Sequence, residues 1–138
     1  MIIALRCYNK IMAETYTPND SMAAAGRRAI KWKEEGKAKG AGTMVGWTRA
    51  RQLANKEPLT LDTVKRMYSY FSRHEVDKQG QGFNSGEDGF PSKGRVMWEA
   101  WGGDAGFSWS RAIVERAKRT EKMWQESNFS PFGINRKI

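Results

Sequence analysis

Lys65, Arg66, Ser69, Tyr70 and Arg73 recur at spacings that set them along one side of a helix, and their types suit a polyanion. Lys and Arg meet phosphates or guanine edges, and Ser and Tyr hydroxyls meet phosphates. Upstream, residues 27 to 51 carry eight basic side chains, among them Arg27, Arg28, Lys31, Lys37, Lys39 and Arg49, against only Glu34 and Glu35. Within that stretch Lys39-Gly40-Ala41-Gly42-Thr43 runs into a helix, an arrangement that turns backbone N–H groups toward a phosphate with Lys37 and Lys39 beside them. It is not a P-loop, because the Gly-Lys-Ser/Thr ending is absent. A flexible basic hinge would read the same way, just as a solvated helix face of any basic protein would show Lys65, Arg66 and Arg73 to water.

Material for catalysis is sparse. His74 is the only histidine, and Glu75 and Asp77 follow it closely, which would suit a hydrolytic or single-metal cluster as well as a polar helix terminus. Structural zinc needs several His or Cys ligands, and the chain has one of each. A nucleophile elbow and a dinucleotide fingerprint are both missing, so the expectation is no enzyme, no metal and no cofactor. Six tryptophans could stack on unpaired bases, but Trp32, Trp47, Trp98, Trp101 and Trp109 fall on apolar faces and read as core. Trp124 and Phe132 lie outside the best helices and are the exceptions.

The composition agrees with a polyanion partner. In 138 residues Lys and Arg number 24 against 15 Asp and Glu, a net charge of +9, and the sequence pI is about 9.9. The length suits one domain. A mean hydropathy of -0.73 is polar, but an aromatic content of 12% is too high for a wholly disordered chain. Cys7 alone cannot close an internal disulfide, which fits a reducing compartment. The apolar run at residues 1 to 5 is too short for a signal core or a membrane span, so neither export nor membrane insertion is expected.

Helices must position these groups. Asp20 or Ser21 is expected to cap a helix running to about Lys37, with Met22, Ala25, Ala29 and Trp32 inward. Glycines 36, 40 and 42 then break it. A helix over Thr43–Asn55 follows, and Thr60 caps another reaching about Arg73, whose Val64, Met67, Tyr68 and Phe71 form a core-facing stripe. These two have the form of a helix-turn-helix, though Pro58 in the link departs from the usual glycine turn. His74 to Pro91 reads as a long glycine-rich connection. Ser92 caps a short helix bearing Val96, Met97, Trp98 and Trp101, Gly102-Gly103 stops it, and Asp104 caps the last helix. The expected organisation is an N-terminal arm over 1–17, an all-α domain of about five helices over 18–122, and a tail over 123–138.

Several strings resemble a small domain recurring in tailed-bacteriophage and prophage proteins. They are the run from Thr43 to Asn55 (TMVGWTRARQLAN), Leu61 to Met67, Tyr70 to Lys78, Pro91 to Arg95, and Trp98 to Gly106 together with Trp109. The likeness covers about residues 18 to 118. It implies a viral origin, a location in the host cytoplasm or the virion, and a link to head assembly or DNA, but no catalytic residues. The combined expectation is a non-enzymatic phage protein that binds nucleic acid, DNA before RNA, through Arg27, Arg28, Lys31, Lys37, Lys39, Arg49, Lys65, Arg66 and Arg73. The alternatives are a virion or packaging component that meets a phage structural protein, and an inhibitor of an acidic host defence protein.

Overall fold

The computed structural model describes residues 14–38 and 40–127. The expectations for Lys39, Phe132, most of the arm, the tail beyond residue 127 and the Trp124 side chain lie outside the described residues. The chain is all-α, with helices α1 (Asp20–Glu34), α2 (Met44–Ala54), α3 (Leu61–His74), α4 (Lys93–Ala100) and α5 (Gly103–Ser127). Two dipeptide strands, β1 (Thr15–Tyr16) and β2 (Leu59–Thr60), pair antiparallel with Thr15 opposite Thr60 and Tyr16 opposite Leu59. The pairing buries Tyr16 and ties the arm to the start of α3. Two residues are too few for an alternating pattern to be read from sequence.

Local chemistry sets the helix ends. Asn19, not Asp20 or Ser21, caps α1, its side chain accepting from the Met22 N–H at 2.9 Å. Asp20 sits one residue inside and pairs with Lys56, which holds its carboxyl below the usual carboxylate range. Thr43, Thr60 and Ser92 cap α2, α3 and α4 in the same manner. Helix α1 stops at Glu34, short of the expected Lys37, because Gly36 takes a φ of +78°. Its N–H then donates to Lys33 O and that of Lys37 donates to Trp32 O, the paired closure of a Schellman motif. At the other sharp corner Gly102 and Gly103 take φ values of +119° and +66°, so α4 turns directly into α5. Asp104 is therefore not a cap: its carboxylate accepts the Trp98 indole N–H and the Lys78 ammonium, each at 2.9 Å. Helix α5 continues through the expected boundary at residue 122 to Ser127.

Helix α1 lies chiefly against α2 and α4, whereas α3 lies chiefly against α5. The two members of the expected helix-turn-helix are thus clasped by different neighbours and do not pack as a pair. Gly26 explains the close approach of α1 to α2, since a Cβ there would stand 2.7 Å from the Ala50 carbonyl oxygen. Trp98, Phe71, Met22, Leu53, Met67, Val64 and Val96 are the large, fully buried side chains. The connection from His74 to Ser92 begins with a 3-10 turn at Glu75–Gln79 and is pinned at Phe83, which is buried beside Trp98 at 6.2 Å between ring centroids. The Glu87 carboxylate gathers this loop by accepting from the N–H groups of Asn84 and Gly82.

Gly26→Ala should lower stability by about 1–2 kcal/mol in chemical denaturation, because the overlap with α2 outweighs the better helix propensity of alanine. Asp104 supplies a pH dependence. Partial burial opposes its ionisation, but hydrogen bonds from Lys78 and Trp98 and the charges of Lys78 and Arg95 prevail and hold its carboxyl below the ordinary value. Its contribution is therefore complete above the unfolded carboxylate pKa of 3.8 and is lost as pH falls through the lower folded value. The stability gap between the native chain and Asp104→Asn should narrow across that acidic range, followed by Trp fluorescence; a gap independent of pH would contradict it.

Candidate nucleic-acid interface

Helix α3 turns its charged side toward a groove of about 780 Å³. The rest of its lining comes from the segment Gly40 to Val45 at the start of α2 and from the first half of α4, which pack together where Met97 meets Gly42. Lys65, Arg66, Ser69 and Arg73 line it from α3, as their spacing predicted, and all four are exposed. Lys93 joins them from α4, its ammonium lying close to Gly40. Four cations therefore face Asp62 and Asp77, the two carboxylates on the lining. Arg66 pairs with Asp62 at 3.1 Å, an exposed i, i+4 contact worth at most about 1 kcal/mol and easily exchanged for a phosphate.

Lys93 was missed by sequence reasoning, although a local signal existed. It is the first residue of α4, where the helix dipole disfavours a cation, and the first turn contains no acidic residue to offset it. The Asp77 carboxylate, which lies against Gly94 in that turn, supplies negative charge there from outside the helix.

The groove floor is an aromatic stack. Tyr70 was expected on the exposed face; instead it is buried, because Trp101, just past the end of α4, lies over it at 4.7 Å with 9° between the rings. His74 stacks on Tyr70 at 4.5 Å and 24°. Two flat rings that close to one phenol occupy opposite faces, so Tyr70 is held between His74 and Trp101. Arg49 completes the column with its guanidinium 5.2 Å from the Trp101 ring centre. His74 Nδ1 lies 3.2 Å from Asp77 Oδ2, and the carboxylate favours the tautomer with a proton on Nδ1.

The remaining predicted residues are placed elsewhere. Arg49 is buried, its Nη1 donates to Gln52 Oε1, and burial together with the nearby Arg66 charge pushes its pKa down. It is buried against the stack, whereas the sequence reading grouped it with the phosphate-binding cations. Arg28 is committed to the buried Glu99 at 2.5 Å, and Arg95 stands on the same carboxylate at 3.7 Å. Arg27 donates to the Ala54 carbonyl oxygen at the end of α2, and Lys37 pairs with Glu35 at 3.3 Å. Lys31 is exposed on α1, and none of these α1 cations lines the groove. The expected interface thus separates into a groove cluster and a set of structural or scattered cations.

Among the described residues no group of three or more His, Cys, Asp or Glu side chains could hold a metal ion, and no helix is long and apolar enough to cross a membrane. The Tyr70 hydroxyl is buried without a hydrogen-bond partner among the described residues, and burial, with the Asp77 charge, pushes its pKa well above the usual phenol value. Tyr70→Phe should consequently leave the fold intact and raise stability by up to about 1 kcal/mol in thermal or chemical unfolding, since it deletes an unpaired buried polar group. A clear loss of stability would show that the hydroxyl is bonded in solution.

No protein family, curated protein or solved structure matches the chain, so a functional reading rests on the chemistry of this groove and on the sequence itself.

Proposed function

We propose that the chain binds nucleic acid mainly through phosphate contacts and catalyses no reaction on it. One observation carries this reading: Lys65, Arg66, Arg73 and Lys93, from two helices separated by a long connection, converge on one groove. Scattered surface lysines and arginines would account for the net charge but not for that convergence. A polyanion satisfies all four together, and counterion release makes such contacts favourable in dilute salt. The groove cluster replaces the wider set as the principal contact, with Lys31 and other exposed cations adding a diffuse attraction.

A tailed-phage setting, in the host cytoplasm or the virion, is supported by the sequence strings between residues 43 and 109 that resemble phage domains. DNA is the first candidate in that setting.

The test compares two triple variants. Lys65→Ala, Arg66→Ala and Arg73→Ala together should preserve the helical circular dichroism, because all three side chains are exposed and alanine is the best helix former. Nucleic-acid affinity should fall for every sequence, and the slope of log K against log salt should become shallower by about 0.7–0.9 for each phosphate that the variant no longer neutralises. Lys118→Ala, Arg119→Ala and Lys122→Ala remove the same charge from exposed positions on α5 and should weaken binding far less. Equal weakening by both triples would reduce the effect to net charge. No effect from either, with the protein recovered in virions, would replace this reading with a structural role.

A further inference from the structure

We infer that the groove takes a single-stranded segment of nucleic acid, its phosphates on Lys65, Arg66, Arg73 and Lys93 and one unpaired base stacked on His74. The inference rests on the phosphate-binding reading above and narrows it to one form of the polymer.

The first argument is steric. An α-helix with its side chains is about 10–12 Å across and fills a major groove about 12 Å wide, so a reading helix must stand clear of its neighbours. Helix α3 does not. The segment from Gly40 to Val45 and the first half of α4, packed together where Met97 meets Gly42 and Gly46, border the groove beside the cationic face of α3. Tyr70, at the centre of that face, is covered by Trp101. A duplex can therefore meet the exposed cations through its phosphates but cannot bring a base to His74, whereas a flexible single strand can do both. The volume of about 780 Å³ falls within the range of about 300–1,000 Å³ typical of clefts that enclose small organic ligands, and so suits a short unpaired stretch.

The second argument is the aromatic column. Single-strand binders combine a positive groove that follows the backbone with ring faces on which bases stack. Trp101 has Arg49 and Tyr70 for neighbours, and Tyr70 has Trp101 and His74, so neither offers a free face. His74 ends the column: its side chain is 43% exposed, and it lines the groove within the same cluster as Arg73. Its inner face rests on Tyr70 and its edge is held by Asp77, so its outer face is preorganised, and a base placed there lengthens the stack by one ring. The floor and the rim then recognise the two chemical parts of one nucleotide.

Fluorescence polarisation at fixed salt tests this with a short labelled oligothymidylate, the matching oligouridylate and the corresponding DNA duplex. The native chain should bind at least one single strand about ten-fold or more tightly than the duplex. The two single-stranded arms differ in their sugar and show whether DNA or RNA is preferred. His74→Leu, similar in bulk but without a π face, should lose about ten-fold in single-strand affinity with an unchanged salt slope, whereas His74→Phe should retain it. Duplex binding equal to or tighter than single-strand binding would overturn the inference, and so would His74→Phe losing as much as His74→Leu. If the duplex prevails and the Lys65, Arg66 and Arg73 triple still abolishes its binding, the phosphate reading survives while this one fails. If no nucleic acid binds, both fail.

Discussion

The constraint on which the rest of the molecule depends is the burial of Trp98 with its indole N–H satisfied. The ring is 1% exposed and meets Phe71 at 4.8 Å, Phe107 at 5.9 Å and Phe83 at 6.2 Å between centroids, so it joins α3, α4, α5 and the long connection in one contact. Truncating such a core aromatic typically costs about 3–5 kcal/mol. An indole N–H left unpaired in that core would be costly, and Asp104 removes the penalty from the first turn of the next helix. The Gly102-Gly103 corner brings Asp104 back over Trp98 within six residues. Lys78 lies 4.8 Å from the Trp98 ring centre and also reaches Asp104, which anchors the 3-10 turn at the same point.

That arrangement positions the groove. With α4 held at Trp98, Trp101 one turn later is presented to Tyr70, and the stack on Tyr70 orients His74 at the end of α3. Met97, on the same short helix, fills the space beside Gly42 and Gly46 and so holds the start of α2 against α4. The cations on the rim are exposed and contribute little to stability, while the rings beneath them are buried and supply rigidity. Binding chemistry and structural chemistry are thereby separated by depth within one site.

The basic surplus is sorted by burial. Glu99 is nearly enclosed, and a carboxylate removed from water needs close cationic partners, which Arg28 and Arg95 provide from α1 and α4. Arg49 is desolvated beneath Trp101, with its guanidinium on a ring face in place of a carboxylate. These arginines hold elements together. Net charge predicts attraction to polyanions for the whole surface, but it assigns no individual cation to a ligand, because the same residue type serves a buried partner and a phosphate equally well.

Much of the local architecture was determined by sequence alone. Thr43, Thr60 and Ser92 at their helix starts, the Val64, Met67, Tyr68 and Phe71 stripe, of which Tyr68 is only partly buried, and the glycines that end α1 and α4 are short-range features whose physics acts within a turn or two of the chain. The exposed Lys65, Arg66, Ser69 and Arg73 were legible for the same reason, as the complement of that stripe. Tertiary structure alone decided what required contact between distant segments. It buried Tyr70 because Trp101 covers it, withdrew Arg28 because Glu99 is enclosed, and seated Phe83 in the core although its surroundings carry no period. It also placed Lys93 in the same groove as Arg73 and parted α2 from α3, which are adjacent in sequence but clasped by different helices. Helical periodicity specifies which side of an element is apolar, whereas the neighbour that covers the other side depends on how the whole chain packs.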